Sequence, residues 1–228
     1  MLRQRTVGAL ATAEAGTNHP YASLITVATD TDASPIFLIS RLALHTRNLV
    51  ADPRASILFA AEAGPGDPLN LGRVSVIGQA EPTDNARVRS RFLARHPSAA
   101  LYADFADFAF WRLHIERAHF VGGFGRIETL AAPELLVDPD IARDWDVRID
   151  SAIEAVNAAQ SPLIAQLAEG MAAPAAIWRI AACDPDGCDL ICGEETHRLG
   201  FPGPLSSPEG LAAALIGLAH QSPKPRVN

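Results

Sequence analysis

Residues 21–40 read YASLITVATDTDASPIFLIS, and this stretch decides the first part of the fold. Positions 21–29 alternate in polarity and are rich in β-branched residues, which is the pattern of a β-strand. Turn-forming residues occupy 30–35, and 36–40 is a compact apolar run. The stretch therefore predicts a β-hairpin, the first element of an antiparallel sheet.

Outward from this hairpin, short strands alternate with turns and a few helices. Strand patterns recur at 56–61, 73–81, 105–112 and 119–125, and helical patterns occur at 45–51 and 84–96. Many short strands joined by turns favour a β-barrel over a parallel, doubly wound sheet. We place this barrel domain at 1–136.

The pattern changes after residue 136. Residues 137–149 are rich in Asp and contain Pro139, which suits either a linker or the capped start of a helix. Beyond them a helical stretch, two short strands around an Asp-Pro-Asp-Gly turn and a final helix fill 150–228. The fold class is therefore α+β, a β-barrel followed by a small α-β-β-α domain.

Composition narrows the classes of function. The chain has 228 residues, 48% of them hydrophobic, so it can bury a core without a metal or a disulfide. Its net charge of −7 opposes nucleic acid and anionic membranes as partners, although one local cationic pocket can still bind a phosphate. No leader-like segment and no apolar run near ~20 residues is present, which predicts a soluble protein outside the membrane.

The three cysteines, Cys183, Cys188 and Cys192, are an odd number in one short stretch. A secreted disulfide framework would show an even number, so we expect a cytoplasmic location. His197 follows them, but the spacing lacks the paired CxxC knuckles of structural zinc. We therefore predict no metal-ion site.

Residues 38–49, LISRLALHTRNL, combine hydroxyls and arginines where a strand meets a helix. A helix N-terminus offers free N–H groups to a phosphate, and Arg47 could add charge-assisted hydrogen bonds. The alternative is an ordinary helix end with His45 or Thr46 as its polar residue. The spacing does not decide between them, and since no HExxH motif or Ser-His-Asp order occurs, no catalytic residue is assigned.

Several short motifs occur in an order that resembles a known family. PYASL at 20–24, LIS at 38–40, HTRNL at 45–49, DPRAS at 52–56 and GGFG at 122–125 are similar to the pyridoxamine 5′-phosphate oxidase-related FMN-binding split barrels. DPDG at 184–187 and RLGFP at 198–202 resemble the C-terminal domain of the haem-utilisation, HugZ-type branch. The resemblance spans nearly the whole chain.

The resemblance implies an FMN-binding flavoprotein of oxidoreductase type, a homodimer with its cofactor sites at the subunit interface. The FMN phosphate would then be bound by Ser40, Thr46 and Arg47. Ser23 and Leu24 would lie beside the flavin, and Arg73 would reach the phosphate or the ring.

One departure from the family puts haem chemistry in question. Haem-degrading relatives carry a His-Met-Asn-x-Asp-His-like motif, and this chain has AVNAAQ at 155–160, with neither histidine. Because Ala cannot coordinate iron, a haem protein of this kind needs a ligand elsewhere, for which His45 and His119 are candidates. A third hypothesis is a dimeric binding protein that has lost its cofactor.

Overall fold

The structure, a computed structural model, describes residues 1–61, 67–123, 125–171 and 177–221. The chain divides into two compact units, 1–136 and 137–228. Residue 124 of the GGFG motif lies outside the described residues.

The first unit is built on one antiparallel sheet of eight strands. The strands are β1 Val7–Ala13, β2 Pro20–Thr26, β3 Ala28–Thr29, β4 Pro35–Ser40, β5 Arg54–Ala60, β6 Arg73–Pro82, β7 Phe108–Val121 and β8 Ile127–Ala131. Their order is β2-β1-β5-β6-β7-β4-β3, with β8 paired to β7. Three helices accompany them: α1 Leu44–Ala51, α2 Ala86–Arg95 and α3 Ala132–Leu135.

The sheet has an apolar inner face, which packs in the core, and an outer face. Along β5 buried and exposed positions alternate, with Ile57 and Phe59 fully buried. Phe37 from β4, Val76 from β6 and Leu113 from β7 pack in the same core. Strand β4 is buried on both faces, because α2 covers its other side with a smaller apolar cluster.

Strand β7 is longer than the sequence pattern predicts. The segments 105–112 and 119–125 were expected as separate strands, and one strand, Phe108–Val121, joins most of both. The alternation of buried Leu113 and Ile115 with exposed neighbours continues until Glu116 and Arg117, which are both exposed. A β-bulge in the pairing with β6 absorbs this extra residue, so the strand continues in register.

The second unit has more strands than the two predicted for it. Its helices are α4 Pro139–Ala159, α5 Ser161–Gly170 and α6 Leu211–Gln221, and its strands are β9 Arg179–Asp184, β10 Gly187–Cys192 and β11 Glu195–Gly200, in the order β11-β10-β9. The third strand was missed because its sequence, ETHRLG, carries little apolar alternation. Trp145, Ile180 and Leu190 are central to the core of this unit.

The Asp-rich segment that could be a linker or a capped helix start is the latter. The Asp138 side chain accepts a hydrogen bond from the Asp140 N–H, 2.8 Å away, and caps α4, which begins at Pro139. Most of 137–149 is therefore helical rather than an extended linker. Among the helices that the structure describes, none is both long and apolar enough to cross a membrane.

Candidate functional site

The turn from β4 into α1 brings together two of the residues expected to bind a phosphate. Ser40 Oγ donates a hydrogen bond to Asp107 Oδ2 at 2.5 Å, and Thr46 Oγ1 donates to the Ser40 carbonyl oxygen at 2.7 Å. Thr46 is only 2% exposed. Both hydroxyl protons are therefore used to hold the turn, and neither is directed at a ligand in this conformation.

Arg47 is the third residue expected at a phosphate. Its side chain is exposed, and no described residue forms a hydrogen bond or an ion pair with it. The nearby Arg41, by contrast, donates to the Ala106 carbonyl oxygen. Arg47 lies in the first turn of α1, where the helix dipole favours an anion, so it is the phosphate candidate that remains available.

Ser23, expected beside the flavin, is in contact with His45 instead. Ser23 Oγ lies 3.1 Å from His45 Nδ1, and His45 Nε2 is closed to solvent with no hydrogen-bond partner among the described residues. Burial lowers the pKa of His45, which favours the neutral imidazole. We call the neighbourhood of Ser23, Ser40, His45, Thr46 and Arg47 the strand–helix corner.

Leu24 and His119 lie on a different surface, the outer side of the sheet. The pairing register places one row of side chains on that side, across β2, β1, β5, β6, β7 and β8: Leu24, Ala9, Leu58, Ser75, His119 and Thr129. Leu24 is 76% exposed and Leu58 is 41% exposed. The next row adds Val7 and Ile127, which are also exposed. We call this apolar surface the open sheet face.

His119 is the only titratable side chain in the central row of the open sheet face. Its Nδ1 lies 3.1 Å from Thr129 Oγ1, and its ring is exposed. No described residue is hydrogen-bonded to its Nε2. When Nδ1–H donates to the hydroxyl, Nε2 carries the free lone pair, which is the arrangement of most histidine metal ligands.

Arg73 belongs to the open sheet face and not to the strand–helix corner. It pairs with Val121 and so lies diagonal to His119, at about 7–8 Å by ordinary sheet geometry. Ser40 pairs with Phe108, near the other end of β7, roughly 40 Å away along the strand. Within one chain, the structure therefore does not bring Arg73 to the same phosphate as Ser40 and Thr46.

The cysteine segment shows no metal-binding arrangement. Among the residues that the structure describes, no three His, Cys, Asp or Glu side chains are placed to hold a metal ion. Cys183 and Cys188 are buried, and the ring of His197 packs edge-on against Trp178.

The sequence interpretation did not identify two residues whose side chains contact the candidate residues. Asp107 lies 67 residues from Ser40, and Thr129 lies ten residues from His119. Neither belongs to a motif, and only strand pairing brings each one to its partner.

A model of the CREG β-barrel family matches residues 1–136, more than half of the chain. The chain belongs to this family. The predicted fold class, a split β-barrel with an appended α/β unit, and the resemblance to the haem-utilisation split barrels are confirmed. A protein of unknown function from Agrobacterium tumefaciens has 28% identity and a TM-score of 0.77, with 95% of this chain and 91% of that one covered.

Two similar proteins have names that mention haem. A haem-binding protein from Mycobacterium smegmatis is 29% identical, with a TM-score of 0.56 and coverage of 96% of this chain and 93% of that one. The chain is also 40% identical over 108 residues to the chloroplastic non-canonical heme oxygenase HOZ of Arabidopsis thaliana. That match covers 46% of this chain and only 32% of the plant protein.

Proposed function

We propose that this protein binds haem on the open sheet face, with His119 as the iron ligand. The observation that carries the proposal is the exposed His119 imidazole, which contacts Thr129 at Nδ1 and lies in the same row of the open sheet face as Leu58. The names of the Mycobacterium and Arabidopsis relatives support haem as the ligand. The loss of the C-terminal histidine motif is compatible with this site, since the ligand then comes from the barrel.

The residues around His119 suit the two parts of a haem molecule. Leu58, two strands from His119, and Ile127, diagonal to it on β8, offer apolar contact to the macrocycle, which gains free energy when it leaves water. Arg73, diagonal to His119 in the sheet, carries a positive charge for a propionate, and its Nη1 also donates to the Leu69 carbonyl oxygen, 3.1 Å away. Bound haem would supply redox-active iron, and the protein would provide the ligand, the apolar surface and protection from water.

His45 suits an iron ligand less well than His119. Both imidazoles have a hydroxyl at Nδ1, but His45 Nε2 is closed to solvent, while the His119 ring is exposed. Haem could reach His45 only after that side chain or its cover had moved. We therefore assign the iron to His119 and keep His45 as the alternative.

The open sheet face also suits a second copy of the chain. A face with Val7, Leu24, Leu58 and Ile127 exposed in adjacent rows is unusual on a monomer surface, because each apolar side chain in water costs free energy. A homodimer formed through this face would cover these residues and enclose a haem between the two copies. The cytoplasmic location inferred from the cysteines remains a prediction.

FMN is the second candidate ligand, and one observation favours it. Arg47 is exposed in the first turn of α1, with no side-chain partner among the described residues, as a phosphate ligand would be. Against it, the Ser40 and Thr46 hydroxyls are occupied by Asp107 and by the backbone. An FMN-dependent oxidoreductase therefore rests on Arg47 and the helix N-terminus, whereas haem binding rests on His119 and on the names of two relatives.

Titration of the purified protein with haemin tests the proposal directly. We expect a saturable Soret band in the wild type that is lost in His119→Ala and retained in His45→Ala. His114→Ala is the matched control, since His114 is an exposed histidine on the same strand. Loss of the band in His45→Ala alone would move the iron to the strand–helix corner, and no band in the wild type would overturn haem binding.

A parallel titration with FMN separates the second candidate. If the wild type binds FMN and Arg47→Ala weakens that binding, the flavin hypothesis replaces the haem hypothesis as the leading one. If neither ligand binds, the protein is a binding protein without a cofactor.

A further inference from the structure

Cys183 and Cys188 face each other in the second unit, in a part of the chain that the proposed haem site does not use. They are direct partners in the pairing of β9 with β10, and both side chains are fully buried. Both are free thiols, and Cys183 Sγ lies 3.2 Å from the Gly187 carbonyl oxygen, beside the hairpin turn. The two thiols are therefore direct cross-strand neighbours and not two isolated cysteines.

The position of the pair beside the hairpin turn fixes its backbone geometry. Pro185 and Asp186 form the turn, and Asp184 pairs with Gly187 on either side of it. Pro185 has no N–H, so this first pair must be the kind that exchanges its own two backbone hydrogen bonds. The next pair, Cys183 with Cys188, is then a non-hydrogen-bonded pair, whose Cα atoms are about 4.5 Å apart. That separation lies within the range that a disulfide spans.

We propose that Cys183 and Cys188 are a redox modification site, a dithiol that a peroxide oxidises to a cross-strand disulfide. One thiolate attacks hydrogen peroxide, an S–O bond forms as the O–O bond breaks, and the released hydroxide takes up a proton to become water. The sulfur of the other cysteine then attacks this sulfenic sulfur, the S–O bond breaks, and a second water leaves. Two thiols lose two electrons and two protons, and one peroxide is reduced to two waters.

The burial of the two thiols determines which oxidant suits them and limits the rate of their oxidation. Because both side chains are fully buried, a small neutral oxidant such as hydrogen peroxide is better suited than a bulky disulfide. Burial raises the pKa of the Cys183 thiol, and the neighbouring Cys188 acts in the same direction. Since the thiolate is the reactive form, the reaction should be slow at neutral pH and faster at higher pH.

Cys192 does not share this arrangement. It is half-buried and pairs with Glu195 of β11, so no cysteine lies opposite it. It therefore serves as an internal control in the same segment. We expect it to remain a thiol, or to be oxidised without forming a bond to either partner.

Mass spectrometry of the whole protein tests the inference without any ligand. After treatment with hydrogen peroxide, quenching and alkylation in denaturant, we expect a product that has lost two hydrogens and carries one alkyl group. Acid cleavage at the four Asp–Pro bonds of the chain separates Cys183 from Cys188 at Asp184–Pro185, and we expect the fragments 139–184 and 185–228 to stay joined until dithiothreitol is added. Cys192→Ser should give the same link, and Cys188→Ser should abolish it.

Two results would overturn the inference. One is alkylation of both Cys183 and Cys188 at every peroxide concentration that leaves the protein folded. The other is direct conversion of either cysteine to sulfinic acid without a disulfide. Because haem binding is measured separately, the outcome does not depend on the proposed function.

Discussion

Thr129 Oγ1 lies 3.1 Å from His119 Nδ1, across the pairing of β7 with β8. This contact orients the imidazole, so that Nε2 is left for a ligand. We predict that Thr129→Val, which removes the hydroxyl and keeps the shape, weakens haem binding about tenfold. Thr129→Ser should restore it. Titration of the Soret band measures both, and equal affinity in the wild type and Thr129→Val would show that the hydroxyl does not position the ligand.

The open sheet face predicts the effect of a charge on self-association. Leu58→Arg places a guanidinium in the middle of the apolar rows, where burial against a second copy would be costly. We expect the protein to sediment as a monomer after this substitution. Leu101→Arg is the control, because Leu101 is 80% exposed and lies outside the sheet. If Leu58→Arg sediments like the wild type, the dimer does not form through this face.

Substitution of the buried, ion-paired Asp30 is expected to destabilise the fold strongly. Its carboxylate is 1% exposed and forms ion pairs with Arg87 and with Arg112, the latter at 2.8 Å. Asp30→Asn should lower the free energy of unfolding by about 2–3 kcal/mol, since both cations lose this carboxylate, while the Arg112 ion pair with Asp32 is kept. Asp52→Asn is the control: Asp52 pairs with the exposed Arg54, and urea unfolding should be unchanged. Similar curves for Asp30→Asn and the wild type would contradict this prediction.

The ionisation of Asp30 predicts that the stability of the fold depends on pH. Burial alone would raise the pKa of Asp30, but the hydrogen bond from Arg87 and the charges of Arg87, Arg91 and Arg112 lower it more. The folded pKa is therefore below the unfolded value of about 3.9. Its contribution to stability is complete above that value and is lost as the pH falls through the folded pKa.

The measurement is urea unfolding of the wild type and Asp30→Asn between about pH 6 and about pH 2. We expect the difference in unfolding free energy to be constant near neutral pH and to shrink in acid. A difference that stays constant throughout would mean that the carboxylate is not stabilised by its arginine neighbours.

The close packing at Gly78 predicts that a single added methyl group destabilises the sheet. A Cβ added there would lie 1.9 Å from the His114 carbonyl oxygen, so the backbone at the β-bulge would have to move. Gly78→Ala should cost about 1–3 kcal/mol in thermal or urea unfolding. Gly200→Ala is the control, because no atom lies within 4 Å of its added Cβ. Equal stability of the two variants would show that the bulge adapts freely.

The local part of the fold could be predicted from the sequence. The alternation around Ser23 and Leu24 and the apolar run before Ser40 predicted β2 and β4, which the structure contains. The hairpin predicted between them is limited to the two residues of β3, because β2 pairs with β1 and β4 pairs mainly with β7. Asp138 followed by Pro139 fitted a capped helix start, which is present. These features depend on neighbours within a few residues, where side-chain period, turn residues and caps act.

The sequence by itself determined which side chains share a face of a strand, and it determined the type of most elements. Only the tertiary structure decided that Leu24, Leu58 and His119 lie in one row, that Arg73 is remote from Ser40, and that Cys183 faces Cys188. The reason is physical: alternation along a strand is a local property, whereas pairing partners and register are set by packing between segments far apart in the chain. The candidate site is made of such pairings, so it emerged only with the fold.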